Sequence, residues 1–256
     1  LGRGEGAALR DLLDPEVVAR TAAELQRLTP ERAARDAEDV VDLLRVLGPL
    51  STEEVRERTG EEHRGAVGGW LRVLGEARRV IEVRIAGEER WADAQDAARL
   101  RDALGVAMPV GVPAAFLEGV EDPLGDLVVR YARTHTPFPV GALAERLGLG
   151  TAVVRDAVRR QVASGRMVQG ALVPDGTGED DVCDAEVLRL LRRRSLAALR
   201  REVEPAPQAT YARFLPRWQS VGELRGLDGV LRAVEQLAGA RLPASALESL
   251  VLPARV

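Results

Sequence analysis

Arginine supplies every basic side chain in this sequence: the 36 Lys+Arg positions are all Arg, against 40 Asp and Glu, for a net charge of −4. A guanidinium is a planar fork of donors that matches phosphate oxygens and guanine edges. Exclusive use of arginine reads as codon bias in a GC-rich genome, and the chemistry follows either way. Two clusters stand out. Arg155, Arg159 and Arg160 fall opposite a Val154/Val158 stripe, with Arg166 just beyond them. Further on, Arg189, Arg192, Arg193 and Arg194 crowd one segment, followed by Arg200 and Arg201. Localised guanidinium clusters on an acidic chain point to a confined contact with nucleic acid, not to binding over the whole surface. The competing reading of the second cluster is a solvated helix whose charges pair with Asp184, Glu186 and Glu202.

Other chemistry is thinly supplied. His63 and His135 are the only histidines, without the spacing of a metal site, and a surface position is expected for both. The lone Cys183 excludes an intrachain disulfide and a multi-cysteine zinc site, and it points towards a reducing, cytoplasmic compartment. With no lysine there is no phosphate loop of the G-x-x-x-x-G-K-[ST] type, and the glycine clusters Gly2–Gly6 and Gly65–Gly69 lack the strand-then-helix context. The pairs Glu53-Glu54, Glu61-Glu62, Glu88-Glu89 and Asp180-Asp181 read as turns or helix starts, where anions favour the helix dipole or keep the surface wet. No catalytic residue, metal ligand or cofactor is assigned to this segment. No apolar run approaches the roughly 20 residues that a membrane helix needs, so no membrane partner is expected. The start lacks a signal-peptide pattern, begins on Leu1 and not Met, and the sequence reads as a piece of a longer protein.

The elements that must position the arginines come in repeated order. Val40, Leu43, Leu44 and Leu47 form the stripe of an amphipathic helix, stopped by Gly48-Pro49. Ser51 and Glu54 have capping-box spacing and open a short helix that ends at Thr59-Gly60. A third helix carries Val67, Trp70, Leu71 and Leu74. A strand over Val80–Ile85 then turns at Ala86-Gly87-Glu88-Glu89 and returns through Arg90-Trp91-Ala92. Three helices and a hairpin make a winged helix. The pattern recurs: Leu124, Leu127, Val128 and Tyr131; a short helix over Gly141–Leu147; a third helix capped by Thr151 with Val154, Ala157, Val158 and Val162. A hairpin of Met167-Val168 with Ala171-Leu172-Val173, turning at Gln169-Gly170, closes it. In the first copy Arg64, Arg72, Arg78 and Arg79 occupy the equivalent places. Its third helix contains Gly68 and Gly69, each costing about 1 kcal/mol relative to Ala, so it suits close approach of another helix better than reading bases.

A third copy begins near Gly229, with a helix over Val230–Leu237 and a second entered at Leu242-Pro243-Ala244-Ser245, Glu248 following Ser245 at capping-box spacing. Asp14-Pro15 opens a helix over Glu16–Leu28, and Thr29-Pro30-Glu31 resembles another start. Asp93–Leu104 reads as helix, Met108–Pro113 as an extended linker, Pro174–Asp181 as a polar mobile loop, and Asp184–Val203 as a long helix. There Leu188, Leu191, Leu196 and Leu199 form the apolar stripe. Trp70, Trp91 and Trp218 are expected in cores. The fold class is therefore mainly α with small β-hairpin wings, a tandem winged-helix (helix-turn-helix) array. Its expected organisation is an N-terminal helical segment over 1–36, a first module over 37–105, a linker over 106–119 and a second module over 120–176. A connector with the basic helix over 177–225 and the start of a truncated third module over 226–256 complete it.

Three stretches carry a family resemblance: Val120-Glu121-Asp122-Pro123-Leu124-Gly125-Asp126-Leu127 continuing to Tyr131-Ala132-Arg133-Thr134-His135, Asp184–Leu199, and Leu242–Val256. They resemble the C-terminal region of bacterial large helicase-related proteins (Lhr). That resemblance implies an ATP-dependent DNA helicase whose motor, with its ATP and magnesium, lies upstream of this segment on the same chain. It also implies a DNA-repair setting, DNA as partner, single-stranded or duplex, and a tandem winged-helix extension through which some members self-associate into homotetramers. The extension further resembles winged-helix DNA glycosylases of the AlkZ kind, which carry a Gln-x-Gln element; no two glutamines here have that spacing. Three readings follow. The arginines hold DNA for a helicase; the modules are a protein-protein scaffold, including for copies of the chain; or the segment is part of a glycosylase.

Overall fold

Asp14 opens a helix: its carboxylate accepts from the Val17 amide (2.9 Å) and Pro15 takes the first helical position, giving α1, Pro15–Leu25. The structure is a computed structural model that describes residues 13–173, 181–202 (side chains to 200) and 207–256. The Gly2–Gly6 cluster, the 174–180 part of the polar loop with Asp180, and the Arg201 side chain lie outside the described residues. The Thr29-Pro30 start yields only a single 3-10 turn, Pro30–Arg32. The chain divides into two compact units, with the boundary between Arg200 and Arg201.

The first module follows its pattern. Asp36 caps α2, Ala37–Leu47, whose Val40, Leu43 and Leu44 are buried, and Gly48 ends it at φ +86°. Both halves of the Ser51/Glu54 capping box form, opening α3, Thr52–Glu57. A 3-10 stretch leads into α4, Val67–Glu76. Strand β1, Val80–Ile85, pairs antiparallel with β2, Glu88–Asp93, from Val80↔Asp93 to Ile85↔Glu88. The turn is therefore only Ala86-Gly87, both at positive φ (53° and 82°), a two-residue hairpin turn, and Glu88 and Glu89 belong to the strand. Helix α5, Ala97–Leu104, follows.

The second module is built on α6, Pro123–Thr134, short strand β3, Phe138–Pro139, α7, Val140–Leu147, and α8, Thr151–Ala163. Gly150, not Thr151, is the N-cap of α8, and no side chain caps it. The wing also departs from expectation. Met167–Gly170 is one continuous strand, β4, and its partner is β5, Asp181–Asp184, in register Met167↔Asp184 to Gly170↔Asp181. Strand β5 also pairs with β3, giving the order β3-β5-β4. The segment expected to return as the second strand, 171–173, leaves the sheet instead. Asp181, expected in a wet loop, is 4% exposed and accepts from the amides of Leu172 (3.2 Å) and Val173 (3.1 Å). These bonds hold residues 172–173 against Asp181.

The long helix α9, Ala185–Glu202, packs its Val187, Leu188 and Leu191 against Leu13, Leu172 and Cys183, with Val18 and Leu25 of α1 on the same cluster. Burying each such leucine contributes about 1.5–3 kcal/mol. The expected stripe holds only over its first half, because Leu196 and Leu199 are 47% and 44% exposed. The second unit comprises α10, Gln208–Trp218, α11, Gly226–Gln236, and short helical turns from Ala244 to Arg255. Pro243, not Ser245, precedes those turns, with no side-chain cap. Trp218, expected in a core, is 63% exposed and stacks on Phe214 at 5.5 Å. Trp70 and Trp91 do pack against the first module's core.

Candidate nucleic-acid interface

Helix α8 turns Val154, Ala157, Val158 and Gln161 inward. At 100° per residue, Arg159 then lies opposite that stripe, flanked by Arg155 and Arg160. Arg159 and Arg160 are exposed and Arg155 is half-buried at the edge. The face is not purely basic. Asp156 lies in its middle, 3.2 Å from Arg159, and Arg160 stands 3.5 Å from Asp122 on the loop before α6. Both pairs are exposed, and such pairs hold by less than about 1 kcal/mol, so a phosphate can displace them. Arg166 follows the Gly165 turn at the foot of the wing, exposed, its Nε donating to the Ser164 hydroxyl (3.1 Å).

Arg166, just beyond the first cluster, adjoins the start of the helix that carries the second. The Ala185 amide at the start of α9 donates to the Arg166 carbonyl (3.0 Å), so the wing base and the basic helix are neighbours. Along α9 the four arginines part company. Arg189 and Arg193 are exposed, and Arg189 pairs with Glu186 at 2.7 Å. Arg192 is half-buried, with its Nε buried and without a hydrogen-bond partner among the described residues. Arg194 points at α1, donating to Glu24 (2.8 Å) and Thr21 (3.0 Å), and so holds two helices together. Asp184 does not balance the arginines as a free surface charge: it is buried and its Oδ1 accepts from the Glu186 and Val187 amides.

The first module presents no comparable face. Arg64 bonds the Thr59 carbonyl, Arg78 the Val110 carbonyl, and Arg79 the Glu38 carboxylate (2.7 Å); only Arg72 of that set has no partner among the described residues. Gly68 and Gly69 meet nothing: a Cβ on either would find open space, so no helix of the described residues exploits them. Its wing is covered. Ile81, Val83 and Ile85 join Leu100 and Leu127 in one buried cluster, against which Leu147 packs. Arg146 of α7 donates to Glu54 (2.6 Å) and to the Pro49 carbonyl (2.8 Å), while buried Arg90 of the wing donates to the Arg146 carbonyl (2.9 Å). Burial works to raise the Glu54 carboxyl, but the bonds from Arg146 and Ser51 outweigh it and hold the group below its ordinary value. Hydrophobic periodicity carried no sign of these inter-module arginines, because a side chain that is polar in sequence reads as solvated until its partner is placed.

The two histidines differ: His63 keeps a surface position, its side chain 39% exposed beside Glu62. His135 is half-buried, contrary to the surface expectation, stacked on Tyr131 at 3.6 Å with Nδ1 2.8 Å from the Tyr131 carbonyl. Burial, aided by Arg146 and Arg58, lowers it to about 4. Burial likewise pushes the Cys183 thiol up to about 12, which removes its nucleophilicity. Among the described residues no cluster of His, Cys, Asp and Glu is arranged to hold a metal, and no helix is long and apolar enough to cross a membrane.

Comparison with known proteins adds to this geometry. Two family models, each for the winged-helix domain of large helicase-related protein, match residues 11–119 and 206–256. A Mycolicibacterium smegmatis protein named Lhr helicase/probable uracil glycosylase is 54% identical over 258 residues, taking in 100% of this chain and 17% of that relative. An Escherichia coli protein named Lhr helicase/uracil glycosylase is 40% identical over 263 residues, covering 96% of this chain and 16% of the relative. The chain therefore spans about a sixth of the length of the curated relatives it matches.

Proposed function

Because this chain belongs to the large helicase-related (Lhr) family, we propose that it is a DNA-binding accessory region of an ATP-dependent DNA helicase that works in DNA repair. The observation that carries the reading is the outward placement of Arg159 and Arg160 on α8, with Arg166 exposed at the foot of the wing where α9 begins. A recognition helix of this kind meets the major groove or the backbone. With arginines as its only charged donors, it engages phosphates, and guanine edges where it reaches them. The motor, with ATP and magnesium, belongs to the longer protein. The union of helicase and uracil glycosylase in the relatives' names supports the repair setting.

Fluorescence polarisation with duplex and single-stranded DNA at low salt tests the reading. Joint replacement of Arg155, Arg159 and Arg160 by Ala weakens binding by at least tenfold and flattens its salt dependence by two to three units, about one per phosphate released. Asp156→Ala, which removes the carboxylate from the middle of the face, tightens binding several-fold. Unchanged affinity in the triple variant sinks the assignment. A second reading, a scaffold that assembles copies of the chain, draws support from the bare glycine face of α4 and the exposed Tyr211, Phe214 and Trp218 of α10. Light scattering over a concentration series tests it, and a strictly monomeric chain counts against it. A uracil-release assay on this chain beside its full-length parent locates the activity in the relatives' names; the absence of a Gln-x-Gln pair favours placing it outside this segment.

A further inference from the structure

Three arginines meet the dipeptide Asp184-Ala185, where β5 passes into α9: Arg189 and Arg133 with their side chains, Arg166 with its backbone carbonyl. The Arg166 carbonyl accepts from the Ala185 amide (3.0 Å), which holds the foot of the wing there. The Arg189 side chain leans back along its helix, as helical side chains do, and its Nε donates to the Ala185 carbonyl (3.3 Å). From the end of α6, Arg133 brings its Nε to 4.0 Å from Asp184 Oδ2.

The local carboxylates leave these guanidinium groups under-used. Asp184 is 5% exposed, and its Oδ1 is committed to the amides of Glu186 (2.8 Å) and Val187 (3.2 Å). At 4.0 Å the Arg133 contact is too long for a hydrogen bond, and the Arg133 side chain stays 68% exposed. Arg166 spends Nε on Ser164 and has no carboxylate partner among the described residues. Arg189 pairs with Glu186, both ends of that pair being largely in water. Exposed pairs of this sort give way to an anion that several guanidinium groups can grip at once.

We infer that Arg133 and Arg189, with Arg166 alongside, form a phosphodiester clasp at the foot of the second module's wing, next to but distinct from Arg155, Arg159 and Arg160 on α8. Its ligand is a backbone phosphate of the nucleic acid that α8 engages, so the inference rests on that reading. A guanidinium clasp of this kind positions the strand without reading its bases.

Polarisation titrations of the whole chain with two duplexes of unrelated sequence, over a salt series, test it. Arg133→Gln lowers affinity alike for both duplexes and flattens the slope of log K against log salt by about one unit. Glu186→Gln, which frees Arg189, tightens binding and steepens the slope. The thermal midpoint of neither variant moves, because both side chains are exposed. If Arg133→Gln and Glu186→Gln leave slope and affinity unchanged while the α8 triple variant weakens binding, the clasp is wrong and the α8 reading stands. If Arg133→Gln flattens the slope while the triple variant binds normally, the clasp stands and the α8 assignment fails. Loss that appears for one duplex alone also overturns the clasp, since it would mean base readout.

Discussion

Individual side chains in this protein divide by where their partners come from. Arg159 and Arg189 pair with carboxylates one helical turn away and remain solvated. Arg146, Arg90 and Arg194 are bound by groups far off in sequence and serve the fold. His135 belongs with the second kind: it is neutral and wedged among Tyr131, Phe138 and the Gln26 amide. Folded, it titrates near 4; unfolded, near 6.5. Between those values the unfolded chain binds more protons, so stability rises with pH across the window. The contribution is complete above about pH 6.5 and is lost as pH falls towards 4, about 3 kcal/mol in all. Urea unfolding from pH 7 to pH 4.5 should show that slope in the native chain and a clearly shallower one in His135→Gln. Equal slopes would show that His135 titrates normally.

At the scale of elements, the two wings have opposite fates. The first is a two-residue hairpin whose apolar face is buried against α5 and Leu127 of the second module. The second is a strand whose partner begins only at Asp181 and whose foot carries Arg166. The tip of the first wing meets the turn between α7 and α8 at Gly148, where a Cβ would stand 3.0 Å from the Ala86 backbone. Gly105, at the end of α5, has nearly the same left-handed φ (65° against 66°) but open space around it. The two glycines thus separate backbone strain from contact. Gly105→Ala should cost about 1–2 kcal/mol for conformation alone. Gly148→Ala should cost at least 1–3 kcal/mol more, because the neighbour to be displaced is backbone. Equal losses in denaturant unfolding would mean that the wing tip yields freely.

Over the first unit as a whole, the seam between modules rests on Arg146, which reaches Glu54 and the Pro49 carbonyl while its own carbonyl receives Arg90. The cavity left at that seam, lined in part by Pro49, Arg90 and Arg130, is only about 30 Å³. Arg146→Ala should destabilise the unit by about 2 kcal/mol and speed hydrogen exchange on both sides, at 49–54 and at 147–149. Exchange that quickens on one side alone would show that the modules fold independently of the pair. Much of this architecture was legible beforehand. The stripes of Val40/Leu43/Leu44 and Val154/Ala157/Val158, the Ser51/Glu54 box and the Gly48 stop are local, because helix periodicity and capping act within a few residues. Strand β5 was hidden for the opposite reason: its partner β4 lies across a polar loop, and a four-residue strand beginning on a buried Asp181 shows no alternation. Which arginines face outward was also undecided. In sequence, Arg193 and Arg194 are adjacent members of one cluster; only the packing of α1 on α9 turns Arg194 to Glu24 and leaves Arg193 in water. Periodicity assigns a side chain to a face of its own helix, whereas the destination of that face depends on contacts between residues that chain order keeps far apart.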